Sequence, residues 1–105
     1  MAAAALGELF YLSIEQIEYA AEIAIEDHLG LTCDPVCGLV QIPCIKRNAV
    51  ADMRAINSVN LASFLWNTRK VSLDNVILTM KNTGHDMNPL YKETSEAGLS
   101  KTFTI

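Results

Sequence analysis

An all-α fold is what the sequence predicts: a small helical domain with a cysteine-bearing loop between two buried helices. Three observations carry the prediction. Apolar residues recur at helical spacing in stretches opened by serines suited to capping, Ser13 and Ser72. No pair of runs alternates apolar and polar residues as paired strands would. All three cysteines and two of the three prolines fall in one stretch, residues 29–48, with helical patterns on both sides.

The first element spans residues 1–12 (MAAAALGELFYL), strongly helix-forming at its start and apolar almost all round, which predicts burial on most sides. Ser13-Ile14-Glu15-Gln16 is a capping box, in which the hydroxyl caps the first turn and Gln16 reaches back. The helix it opens carries Ile14, Ile17, Ala21, Ala24 and Ile25 on one stripe. Glu15, Glu18, Glu22 and Glu26 read as a solvated face. The helix ends near Leu29, with Gly30 as its stop and His28 as a C-terminal cap rather than a base.

After the loop, residues 49–67 are helical in propensity and apolar over most of the circumference, again predicting burial. Ser72 caps a short helix over residues 73–81, closed by Gly84. Pro89 opens a last short helix at its first turn. The tail, residues 98–105, has no assigned element, although KTFTI suits an extended conformation.

Composition narrows the function. A chain of 105 residues makes one domain with one modest core, and 50% hydrophobic against 19% charged residues excludes disorder. A net charge of −4 gives no basis for binding nucleic acid, whose phosphates need clustered Lys and Arg. The longest apolar run is broken by Gly7 and Glu8 and falls short of a membrane span. An odd cysteine count without an export signal points to a reducing, cytoplasmic setting, where thiols bind metal, do chemistry or lie buried.

Cys33 precedes Asp34-Pro35 and Cys44 follows Pro43, so proline stiffens the backbone at both thiols and biases it away from helix. Soft sulfur donors suit iron–sulfur or zinc binding. Without a CxxC pair, however, a tight turn with two buried thiols fits the spacing as well. Lys46 and Arg47 stand where a helix dipole disfavours cations, a conflict that an anionic ligand at the same place relieves.

The loop also carries a family resemblance. GLTCDPVCGLVQIPCIKRNAV (residues 30–50) closely resembles the GLTCDP(V/I)xGxVQ(I/V)PCIERNA segment of the alpha chain or alpha domain of bacterial iron–sulfur-dependent L-serine dehydratase (L-serine ammonia-lyase). MAAAALGEL, AINSVNLA and TGHDMNPLYKETSEAGL resemble further segments of that family, so the likeness covers essentially all 105 residues.

The resemblance implies a lyase of amino-acid degradation that converts L-serine to pyruvate and ammonia. In the family a [4Fe–4S] cluster held by three cysteines does this, with one open iron acting as a Lewis acid. Cys33 and Cys44 match two of those ligands. Arg47 and Asn48 match the Arg-Asn pair, which implies contacts with the substrate carboxylate and hydroxyl. Cys37 stands where the family has Gly or Ala, which makes it a further candidate ligand. Lys46 replaces a glutamate, and Asp27-His28 replaces a His-Asn pair.

The family's remaining cluster cysteine and its beta chain or beta domain match nothing here. The expectation is therefore a single-domain C-terminal portion of an alpha chain that needs its upstream region, a beta partner and an oligomer. The general base is expected from outside these residues. Two other readings stand beside this one: a non-catalytic helical remnant or interaction module with buried thiols and no metal, and zinc held by the three thiols with one other ligand.

Overall fold

The computed structural model describes residues 1–92 and 94–103. Five α-helices succeed one another: α1 (Ala2–Leu9), α2 (Ile14–Glu26), α3 (Cys44–Leu65), α4 (Leu73–Asp86) and α5 (Leu99–Thr102). Short 3₁₀ turns fall at Val36–Gly38, Trp66–Thr68 and Pro89–Tyr91. The described residues include no strand, only one isolated parallel bridge between Cys33 and Lys92. The all-α expectation holds.

Helix α2 is the centre, with α1, α3 and α4 packed around it. The capping box forms as read. The Ser13 hydroxyl accepts from the Gln16 N–H at 3.3 Å, and the Gln16 side chain accepts from the Ser13 N–H at 2.9 Å. Gln16 also donates through Nε2 to the Ser63 carbonyl at 3.1 Å, tying the start of α2 to α3. Ser13→Ala should therefore cost about 1 kcal/mol of stability. A urea unfolding midpoint equal to that of the wild type would contradict this.

The core is built of small residues: Ala3, Ala20, Ile23, Ala55, Val59 and Ala62. Small side chains let helices approach closely, and a Cβ added at Gly7 would lie 3.1 Å from the Ile17 side chain. They also bury little apolar area, and burial near 25 cal/mol per Å² is what drives helix packing. The radius of gyration is 15.7 Å, against about 13 Å for a compact domain of this length. The helices form a thin layer, 15 Å in its shortest dimension.

That thinness corrects several sequence expectations. α1 and α3 are not buried on most sides: Leu9 is 71% exposed, Phe64 64%, and Phe10, Met53 and Trp66 also face outward. Their apolar circumference has too few neighbours within the described residues to cover it. On α2, Ile14 is exposed while Glu22 is 1% exposed. The buried face is set by three surrounding helices rather than by the single apolar stripe, so one of the four glutamates turns inward.

Element ends differ too. α3 starts at Cys44, with Pro43 as its N-cap, so Cys44 lies on helical rather than stiff extended backbone. α4 runs through Gly84 to Asp86. Nothing lies near Gly84 to force a stop there. Termination falls at Met87-Asn88, where a following proline disfavours helix in the preceding residue. Pro89 does open a short helical turn, as expected. In the tail, Lys101 and Thr102 are helical and Phe103 is extended. Thr104 and Ile105 lie outside the described residues.

Candidate functional site

The cysteine loop leaves α2 at a C-terminus capped by His28, whose Nδ1 donates to the Ala24 carbonyl at 2.5 Å. Gly30 then adopts φ +74°. The Cys33 N–H donates to the Tyr91 carbonyl at 3.0 Å, and the Val36 N–H to the Ile42 carbonyl at 2.8 Å. Val36 is fully buried beneath the loop, and Pro43 is buried as well. The 3₁₀ turn over Val36–Gly38 places Cys37 at φ +57°, in the left-handed region. That conformation is uncommon for a non-glycine residue.

Asp34 is the hub of the loop. It is 4% exposed. Its Oδ2 accepts from the Leu99 N–H at 2.6 Å, and its Oδ1 accepts from Arg47 Nη1 at 2.5 Å. Burial alone would push this carboxyl up, but the Leu99 N–H and the Arg47 guanidinium outweigh it and hold the carboxyl below its ordinary 3.8. Gly98, at φ +65°, approaches so closely that a Cβ there would collide with the Asp34 carboxylate. Ser95 adds a further tie, donating to the Pro35 carbonyl at 2.7 Å. The segment after α4 thus straps the loop at Cys33, Asp34 and Pro35.

Arg47 Nη1 donates to the Thr32 carbonyl at 3.0 Å as well as to Asp34. It therefore grips the residues on either side of Cys33 from the helix that begins with Cys44, which brings the two thiol-bearing segments together. Asn48 donates through Nδ2 to the Cys44 carbonyl at 2.8 Å, within the first turns of α3.

All three thiols are free; Cys33 and Cys44 are half-buried and Cys37 is exposed. Among the described residues, no three of Cys, His, Asp and Glu come together as a group able to hold a metal ion. The donor type, three free thiols on one loop and the helix start that follows it, suits a thiolate-bound cluster.

Beside the start of α3 lies a cleft of about 470 Å³. Its polar lining is His28, Thr32, Lys46, Arg47, Asn48 and Arg54, with Pro43, Val50 and Leu99 among its apolar walls. The Ile45 and Arg47 N–H groups donate to the Gln41 and Pro43 carbonyls. An anion at this helix start would therefore meet side chains more than free amides.

Three groups at or near the site carry little signal in the sequence. Arg54 sits seven residues beyond Arg47, and that return to one helix face was the signal for it. Asp34 gives only a turn signal, because its partners Arg47 and Leu99 lie 13 and 65 residues on. Glu22 is buried with Oε1 unpartnered, and its carboxyl is pushed up to about 8. Burial is the main cause, followed by the hydrogen bond and charge of Glu26, with Asp27 adding and Arg69 opposing. Only its apolar immediate neighbours, Ala21 and Ile23, hinted at this.

No helix among the described residues is long and apolar enough to cross a membrane. Residues 1–100 match the family described as the serine dehydratase alpha chain. The chain is 56% identical over 100 residues to L-serine dehydratase 1 of Escherichia coli K12 and to an L-serine dehydratase of Streptomyces coelicolor. Each match covers 95% of this chain and 22% of the relative. An L-serine dehydratase of Helicobacter pylori is 56% identical over 102 residues, or 97% of this chain and 22% of that protein. The chain thus spans about a fifth of the length of these relatives. With a family match that spans residues 1–100, and so takes in the cysteine loop, Leu99 and the start of α3, the chain belongs to the serine dehydratase alpha chain family.

Proposed function

We propose that these 105 residues act as the C-terminal part of an L-serine dehydratase alpha chain, taking part in the conversion of L-serine to pyruvate and ammonia. Upstream alpha-chain residues and a beta chain or domain complete the site within an oligomer. One observation carries the reading: more than half of the positions match L-serine dehydratases, across a stretch in which Arg47 links the Cys33 segment to the helix of Cys44. The exposed apolar faces of α1 and α3 support a larger assembly, since contiguous apolar surface of this kind normally meets a partner. Free thiols suit a reducing cytoplasm.

In this reading Cys33 and Cys44 hold two corners of a [4Fe–4S] cluster, and the third thiolate comes from outside the chain. When bound, such a cluster supplies a Lewis-acidic iron, which makes hydroxide a tolerable leaving group at neutral pH. Arg47 orients the substrate carboxylate; a guanidinium has five N–H donors, so its two contacts through Nη1 leave others for a ligand. Asn48, which donates to the Cys44 carbonyl, is in this reading the contact for the substrate hydroxyl. Asp34 keeps Arg47 in place and takes no part in proton transfer. The base comes from elsewhere in the assembled protein.

Anaerobic reconstitution with iron, sulfide and a small thiol to stand in for the outside ligand tests the cluster. The wild type and Cys37→Ser should take up equal iron and sulfide with broad visible absorbance, whereas Cys33→Ser and Cys44→Ser should lose most of both. Colourless, iron-free wild type overturns the proposal. Pyruvate formation from L-serine, after adding the remaining segments of an L-serine dehydratase, tests the lyase. One rival reading is a helical interaction module with buried thiols and no metal. That rival predicts no iron in any variant.

A further inference from the structure

The cleft beside Cys44 is lined by more cations than the one carboxylate paired with them balances. Lys46, Arg47 and Arg54 line it, and no Asp or Glu is among its lining residues. Of the three cations, only Arg47 is paired with a carboxylate among the described residues, through Asp34 behind the cleft. Arg54 reaches only the Asp27 carbonyl, at 3.4 Å. Seven residues return a side chain to nearly the same helix face about 10 Å along the axis, so Arg47 and Arg54 put a cation at each end of one stripe. A concave wall of one sign concentrates potential and gathers counter-ions. Guanidinium groups meet carboxylates through paired, charge-assisted hydrogen bonds. Within the described residues, an α-ammonium group entering the same cleft finds three cations and no lining anion.

We propose that this cleft is an anion site that prefers small carboxylates lacking an α-ammonium group, namely 2-oxo and 2-hydroxy acids, over L-serine. The choice of ligands rests on the lyase reading, since a 2-oxo acid is the product of that reaction. The cations lining the cleft are there whatever reaction the chain serves. Its consequence is a site that holds product at least as readily as substrate.

The test is titration of the ¹⁵N-labelled 105-residue chain with pyruvate, L-lactate and L-serine at one fixed ionic strength, with sodium chloride as the control. Pyruvate and lactate should give saturable amide shifts confined to Thr32, Asn48, Val50 and Arg54. Their apparent dissociation constants should be at least about fivefold below that of L-serine, the size of one unfavourable charge contact near water. In the double variant Lys46→Gln with Arg54→Gln the gap should close, while amide shifts away from the cleft report the retained fold. L-serine binding as tightly as pyruvate overturns the proposal. So does the lack of any saturable shift, or a response matched by chloride. A chain that takes up iron but shows no preference removes the anion site and leaves the lyase reading standing; a clear preference without iron does the reverse.

Discussion

Asp34→Ala is expected to release the segment after α4 from the cysteine loop and loosen Cys33. The substitution deletes the acceptor of the Leu99 N–H and the partner of Arg47. Hydrogen bonds to a charged group contribute about 1.5–3 kcal/mol each. Arg47 is nearly half exposed, so solvent screens its share. The combined loss should be about 2–4 kcal/mol, felt locally rather than across the α2–α3 core. Hydrogen exchange at the Cys33, Leu99 and Phe103 amides should speed up, and Cys33 should react faster with a thiol reagent. Unchanged exchange at these three amides would count against the hub. Asp34→Asn keeps one acceptor without the charge and should fall between.

The same contacts have a sign in pH. The folded carboxyl is held below its ordinary 3.8, so the folded state binds that proton more weakly than the unfolded chain. The stabilisation is fully present above about pH 4 and is lost as pH falls through the depressed folded value. Acid should free the strap in the wild type and change little in Asp34→Ala.

Glu22 works in the opposite direction. Its folded carboxyl is raised to about 8 from an ordinary 4.5, so the folded state holds the proton more tightly than the unfolded one. The contribution is complete below pH 4.5 and drains away as pH rises to about 8, beyond which the loss levels off. Because one pH unit of pKa change corresponds to about 1.4 kcal/mol, the total is on the order of a few kcal/mol. Glu22→Gln keeps a polar group of similar shape but does not ionise. It should match the wild type in urea at pH 5 and exceed it clearly at pH 9. Parallel stability profiles for the two proteins would show that Glu22 does not ionise against burial.

Much of the fold was legible because its signals are local. A capping box needs only Ser13 and Gln16, and the helix start at Leu73 needs only Ser72. The turn at Pro89 follows from a fixed φ. Cys33, Cys44, Arg47 and Asn48 stood out because they sit close together in one motif. Their partners were not legible. Nothing near Asp34 indicates that Leu99 will cap it, and Ser95 on the Pro35 carbonyl spans 60 positions. Local propensity likewise puts Cys44 in the loop and stops α4 at Gly84, whereas α3 starts at Cys44 and α4 runs to Asp86. Propensity near a proline or glycine shifts boundaries by a turn, and packing decides the rest.

By itself the sequence determined the helical class, the caps, the cysteine motif and the family likeness, since each rests on residues a few positions apart or on the order of residue types. Only the tertiary structure decided which glutamate turns inward, which faces stay uncovered, and that Arg47 ties the Cys33 segment to the helix of Cys44. Burial and charge pairing depend on neighbours brought in from far along the chain, and their strength is set by how little water remains around them.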